Sequence, residues 1–419
     1  MTDLIATPDE FLSRRHAEDR DCEDPLAAMR AQFAPIPEGE IFLNGGSLGR
    51  QPVATVQRLE QLLHAEWADG LASARTQWFD IAQRVGRRVA EVVLGAHPDE
   101  AVVSDCTSVN LYKLAAAAIH ARPERRAVVI DDDNFPTDRY VLSGVAEATG
   151  RELRVVHADP HRGLDLAALE EAVDSDVALV ALSLVSPRSG ALLDMAEVHR
   201  VAHRVGALVL WDLSHAAGAI PLELTANGAD LAVGSTYKHM FAGPGAPAFL
   251  YVRRDLQAEL RQPIHGWYGH REQLAMRPLY DPDPSIRRFL TGSPPVLSVA
   301  AIEPGLDLLA HAGINAVRAK SVELVDYVVQ LATSWLFPCG WRLASPHGSA
   351  QRAAHVAFAH RDAQALVAAA RERGVHVDYS PPDRIRISPA PLSTSFTEVY
   401  EAMIVLRDTT TGVSKEVAS

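Results

Sequence analysis

Two residues stand out for chemistry: Asp212, which closes the apolar run ALVLWDLS, and Lys238, 26 residues later in GSTYKHMFAGPGAP. An amine condenses with a carbonyl to give a Schiff base, and a carboxylate beside a pyridine-type nitrogen keeps it protonated, so that the ring accepts electrons. Lys238 follows Ser-Thr-Tyr and precedes FAGPGAP, whose glycines let backbone approach a ligand closely. Singly, each residue has an ordinary alternative, as a loop or capping acid and as a solvated surface charge. The pair is the specific signal.

Upstream, SDCTSVNLYKLAAAA sets Thr107 and Ser108 before an Ala-rich helical pattern. Their hydroxyls and the first free amides there can hold a phosphate, or Thr107 and Ser108 can serve as a plain N-cap. In DDDNFPTDRY, Phe135 can stack on a planar ring and Asp138 can fix its polar edge; the alternative is a core aromatic and a turn acid. In chain order this gives an anion cup, a stacking aromatic, a ring-nitrogen acid and a Schiff-base lysine.

Strand ends must position these groups. The runs at 127–133, 152–159, 177–185, 207–214, 230–237 and 247–254 read as strands, with helical patterns such as LDLAALEEAV and MAEVHRVAHRV between them. This alternation predicts an α/β fold with a largely parallel sheet covered on both faces, and ligands in such sheets sit at the carboxyl ends of the strands. Residues 1–52 read as an arm that joins a small domain, 53–291 as a large cofactor-binding domain, and 292–419, where Ala/Leu-rich helices precede WRLASP and AAHVAFAH, as a small α+β domain. The last residues, TTTGVSKEVAS, read as frayed.

Composition narrows the class. The 419 residues are 47% hydrophobic, enough for a large core, and the net charge of -13 lacks the basic surface that nucleic acid requires. A small-molecule substrate is expected. Cys22, Cys106 and Cys339 are too few and too scattered for a disulfide framework or a metal site, which fits a reducing cytoplasm. The charged start and the lack of an apolar run of ~18 residues predict an unexported protein that does not enter a membrane.

Over most of its length the sequence resembles kynureninases, pyridoxal phosphate (PLP) enzymes of fold type I within the aminotransferase class V superfamily, which cleave kynurenine to anthranilate and alanine. The resemblance rests on FLNGGSLGRQP, TSVNLYKL, NFPTDRY, WDLSHAAG, STYKHMFAGPGAP, HGWYGH, RRFLTGSPPVLSVAAIEPGLDLL, GINAVRAKS and IRISPAPLSTSF. It implies a seven-stranded, mainly parallel sheet and a homodimer with shared active sites. It also implies that Lys238 carries PLP with Asp212 on the ring nitrogen, and that Thr107, Ser108, Phe135, Asp138, Ser183, His215 and Tyr237 contact the cofactor. Tyr237 would in addition donate a proton. Trp267 and Ser293 would reach the partner's cofactor across the dimer, and Arg386 would clamp the substrate carboxylate with its planar fork.

The substrate end departs from the family pattern. Kynureninases carry an aromatic, and often His or Asn, in a short loop ending in Thr-Gly, where this chain has VSPRSG with Ser186, Pro187 and Arg188. GLASARTQWFD stands where bacterial relatives have a Ser-Trp-Asn stretch, and Ser293 where relatives have a small polar residue or Asn. These changes predict a remodelled aryl pocket, suited to a hydroxylated or methylated kynurenine of secondary metabolism. Two alternatives stay open: a PLP enzyme working at another Cα, Cβ or Cγ bond, and a catalytically silent PLP-fold binding protein.

Overall fold

The computed structural model describes residues 11–416, apart from the side chains of residues 73–75, 77 and 413–416. Seven strands form the main sheet: β1 Ala101–Ser104, β2 Ala127–Asp131, β3 Glu152–Val156, β4 Val177–Ser183, β5 Leu208–Asp212, β6 Leu231–Gly234 and β7 Ala248–Val252. Their spatial order is β1-β7-β6-β5-β4-β2-β3. The five strands from β2 to β6 run parallel, whereas β7 pairs antiparallel with both β1 and β6. Nearly every residue of the interior strands is buried, as runs of Val, Leu, Ile and Ala require when helices cover both faces. The edge strand β3 alternates less cleanly and keeps Glu152 exposed.

Six of these strands coincide with the runs read from sequence. The seventh, β1, lies in four residues between turns and gave no comparable signal. The strand order reverses between β2 and β4, and this switch point opens a crevice at the carboxyl ends of the strands.

The smaller body is built on an antiparallel sheet of β8 Arg342–Leu343, β9 Val356–Ala359, β10 Asp378–Ser380 and β11 Arg384–Ile387, in the order β10-β11-β9-β8. Its core joins Leu324, Tyr327, Leu331, Trp341, Phe358 and Phe396 with Ala17 and Leu43 of the N-terminal arm. The arm also pairs Ile41–Phe42 in parallel with Val375–His376. Position 292 does not mark a change of body. Val299, Ile302, Leu306 and Val317 pack into the core of the large sheet, and side chains turn to the small core only from Leu324 onward. Of TTTGVSKEVAS, expected to be frayed, residues 409–416 continue the helix Phe396–Glu416, and the last three lie outside the described residues.

Candidate active site

Four features converge on a cavity of about 160 Å³ at the switch point, and a fifth braces it from behind. The first is the helix α1, Thr107–His120, whose first turn faces the cavity. Cys106 is its N-cap residue and offers no side-chain cap, so Thr107 and Ser108 are helical residues rather than caps, a one-position correction to the sequence reading. With no side chain taking its first amides, the helix end remains an anion site. Asp105 holds a left-handed backbone (φ 44°) just before it and is ion-paired to the fully buried Lys113, which also donates to the Phe289 carbonyl at 2.8 Å.

The second feature is the turn after β2. Phe135 precedes the helix α2, Pro136–Thr149, and is 49% exposed at the cavity rim, a ring with an open face rather than a core residue. Asp138 lies buried in the first turn of α2 against Asp212, close enough for the two carboxyls to share a hydrogen bond. Burial, followed by the charge of Asp212, holds Asp138 well above the ordinary carboxylate range, so Asp138 keeps a proton.

The strand ends supply the third. Ser183 ends β4 and donates to the Asn134 side chain at 2.6 Å, while Asp212 ends β5 and accepts from the Ser214 amide at 2.7 Å. The fourth is the lysine loop after β6, where Lys238 Nζ lies 3.0 Å from His215 Nε2. Burial pulls the Lys238 amine down to about 8, against the opposing pull of Asp212, and so raises the share of neutral nucleophile near physiological pH far above that of an ordinary lysine. Burial also depresses His215 strongly and Lys238 adds to it, leaving a neutral imidazole whose buried Nδ1 has no partner. Tyr237 is raised by burial and keeps its phenolic proton.

The fifth is the arm. Gly49 N donates to the Tyr237 carbonyl at 2.9 Å, and a Cβ on Gly49 would collide with the Lys238 carbonyl and the Phe241 ring. Only glycine lets the arm pack this closely behind the lysine.

The residues present fit PLP. A lysine amine at depth, a carboxyl pair holding one proton, an uncapped helix end with two hydroxyls and a rim aromatic form the donor set that an aldehyde, a pyridine nitrogen, a phosphate and a planar ring require. The orphaned His215 Nδ1 marks polar capacity that the protein alone leaves unused.

Arg386, on β11, is buried beyond this cavity, and its charge acts on both Lys238 and His215. The fork already has partners: Nη1 donates to the Pro187 carbonyl at 2.6 Å, and Nη2 to Ser47 Oγ at 2.8 Å and Asp378 Oδ2 at 2.6 Å. The unusual VSPRSG loop therefore meets Arg386 through its backbone. Arg188 turns away to Asp133, at 3.4 Å, beside the Ser186 hydroxyl, which donates to the same carboxylate at 2.7 Å. In GLASARTQWFD, Trp78 ends the helix Leu71–Trp78 and donates to Glu66, whereas the side chains of Ser73, Ala74, Arg75 and Gln77 lie outside those described.

The structure thus brings together Thr107, Ser108, Phe135, Asp138, Ser183, Asp212, His215, Tyr237 and Lys238. Trp267 and Ser293 lie outside this cavity: Trp267 opens the 3-10 turn Trp267–Gly269 with its ring edge-on to Phe79 and Tyr268, and Ser293 lies in an exposed loop. The sequence reading missed Thr137 and Ser214, which also line it, and two buried imidazoles near Arg386, His239 and His355. Burial drives His239 down to about 3 and His355 well below its ordinary value. The neighbouring motifs NFPTD and DLSH were the signal for Thr137 and Ser214; nothing local marks His355.

The aminotransferase class-V pattern matches residues 43–379. A kynureninase of Pseudomonas fluorescens is 40% identical over 394 residues, covering 92% of this chain and 92% of the relative. One of Burkholderia mallei is 40% identical over 405 residues, covering 94% and 95%. Among solved structures, the apo cysteine desulfurase of Thermococcus onnurineus NA1 superposes with a TM-score of 0.78 at 18% identity over 94% of this chain and 98% of its own. A C-DES mutant with glycine covalently linked to its PLP cofactor superposes with a TM-score of 0.80 at 18% identity, over 90% and 99%. At those identities the structural matches speak for the fold.

Proposed function

The chain belongs to the aminotransferase class-V family and, within it, to the kynureninases, and from that premise we propose that it hydrolyses the Cβ–Cγ bond of kynurenine, giving anthranilate and alanine. The observation that carries this reading is the convergence of Lys238, the Asp138–Asp212 pair and the open end of α1 on one cavity in a chain 40% identical to kynureninases.

PLP bound there supplies an electrophilic carbon for the substrate amine and an electron sink for the bonds broken at Cα and Cβ. The chain's own residues do the rest. Thr107 and Ser108 anchor the phosphate at the positive end of α1, a placement worth about 0.3–2 kcal/mol from the helix charge. Phe135 covers one ring face. Asp212 holds a proton at the ring nitrogen, and Asp138, kept neutral by burial, donates a hydrogen bond to Asp212 instead of adding a second charge. Lys238 would also move the Cα proton, for which an amine near 8 is well matched. Water adds at the γ-carbonyl, that carbon leaves as anthranilate, and Tyr237, protonated at neutral pH, returns a proton to the remaining Cβ. Arg386 faces the α-carboxylate.

We place the active form as a homodimer in the cytoplasm, with Trp267 and Ser293 reaching the partner's cofactor. Their exposure away from the cavity of their own chain supports this, as do three free cysteines. Among the described residues no single helix is long and apolar enough to cross a membrane. The VSPRSG loop, which meets Arg386 through the Pro187 carbonyl, favours the second reading, other chemistry at Cα, Cβ or Cγ.

Incubating PLP-loaded protein with kynurenine, 3-hydroxykynurenine and ring-methylated kynurenines tests the reading. Equimolar alanine and an anthranilate from at least one of them is expected, with the fastest naming the ring substituent. Spectral change with amino acids but no anthranilate from any of them would contradict it and favour other chemistry at Cα, Cβ or Cγ.

A further inference from the structure

We propose that Asp378 is a positioning residue for Arg386, setting the direction in which the guanidinium presents its free donors to a substrate carboxylate. The inference rests on the reading of Arg386 as the carboxylate clamp.

The register makes the pair. β10 and β11 run antiparallel with Asp378 directly opposite Arg386, and side chains at opposed positions emerge on the same face of the sheet. The result is a 2.6 Å bond from Nη2 to Asp378 Oδ2. Two neutral acceptors complete the hold, Ser47 Oγ from the arm on the same nitrogen and the Pro187 carbonyl on Nη1. A guanidinium has five N–H bonds, and these partners take three. The buried Nε has no partner and one hydrogen of Nη1 is unclaimed, so the fork keeps two unused donors, on different edges.

Charge gives Asp378 its weight. Arg386 shares its buried surroundings with Lys238 and the imidazoles of His215, His239 and His355, none of which neutralises it, and the carboxylate acting on it is Asp378. Asp378 is itself partly open to water, with 31% side-chain exposure against 10% for Arg386, so it is not sequestered to complete a core. Without the Asp378 charge the fork would keep its two neutral partners, Ser47 on Nη2 and Pro187 on Nη1, and lose its one charged partner.

The test uses PLP-loaded wild type and Asp378→Asn, titrated with L-alanine and L-alaninamide while the cofactor's visible spectrum is followed. Wild type is expected to bind alanine at least ~10-fold more tightly than the amide, the scale of one charge-assisted contact. In Asp378→Asn the visible band and melting temperature should persist, alanine binding should weaken ~10-fold, the amide should change less than about 2-fold, and KM for a turned-over kynurenine should rise with kcat within about 3-fold. Unchanged alanine affinity, or equal losses for alanine and the amide, would overturn the proposal. If the Asn variant does not fold, Asp378→Glu keeps the charge on a longer arm and must show the same alanine-selective loss in smaller degree; an unselective effect there counts against it. Wild type that does not discriminate alanine from the amide refutes the clamp itself, and so separates that failure from the failure of Asp378.

Discussion

Asp138 illustrates how burial assigns a protonation state. Two carboxyls in contact cannot both ionise without strong repulsion, and burial raises the cost further, so Asp138 carries the proton that lets it donate to Asp212. A group whose folded value is raised binds its proton more tightly in the folded than in the unfolded chain. Its contribution to stability is therefore present at low pH and lost as pH rises through the raised value. Asp131, pushed up to about 7 chiefly by burial, acts with the same sign, so the prediction concerns a difference. Cofactor-free Asp138→Asn should lose less stability than wild type as pH rises from about 4 to 9, read as melting temperature against pH; parallel curves would show that Asp138 holds no proton. Asp212 and Lys238 were legible in sequence because Asp212 is the last residue of an apolar strand and Lys238 lies four residues past the end of the next. Asp378 was not, because its pairing with Arg386 depends on a hairpin register through the Pro-Pro turn that no local pattern states.

At the scale of elements, the site depends on how closely the arm approaches the lysine loop. Gly49→Ala places a methyl against the Lys238 carbonyl and the Phe241 ring, backbone and packed aromatic that cannot swing aside. Overpacking of this kind costs about 1–3 kcal/mol. A fall of several degrees in melting temperature and weaker PLP retention on dialysis are expected, whereas a variant with wild-type stability and retention would mean that the arm does not brace Lys238. The parallel strands were readable because each is a continuous apolar run between turn residues. β1 escaped because four residues beside an antiparallel neighbour carry too little pattern. The texture change near Gly292 is real as composition, yet the helices Val296–Ala300 and Glu303–Ala312 still face the large sheet, since burial follows contact and not composition.

Across the whole molecule, lysine is scarce, and that makes the central claim testable at one stroke. The chain has four: Lys113, Lys238, Lys320 and Lys415. Lys113 and Lys320 are buried in ion pairs with Asp105 and Asp24, and the Lys415 side chain lies outside those described. The depressed amine of Lys238 faces the cavity that assembles acid, aromatic and anion site, so it is the lysine to react with an aldehyde. Borohydride reduction of PLP-saturated protein, followed by peptide mass mapping, locates the linkage. One equivalent of cofactor mass is expected on the peptide containing Lys238 and none in Lys238→Ala; label on Lys113, Lys320 or Lys415, or an unlabelled Lys238 in the saturated protein, would contradict a Schiff base at Lys238.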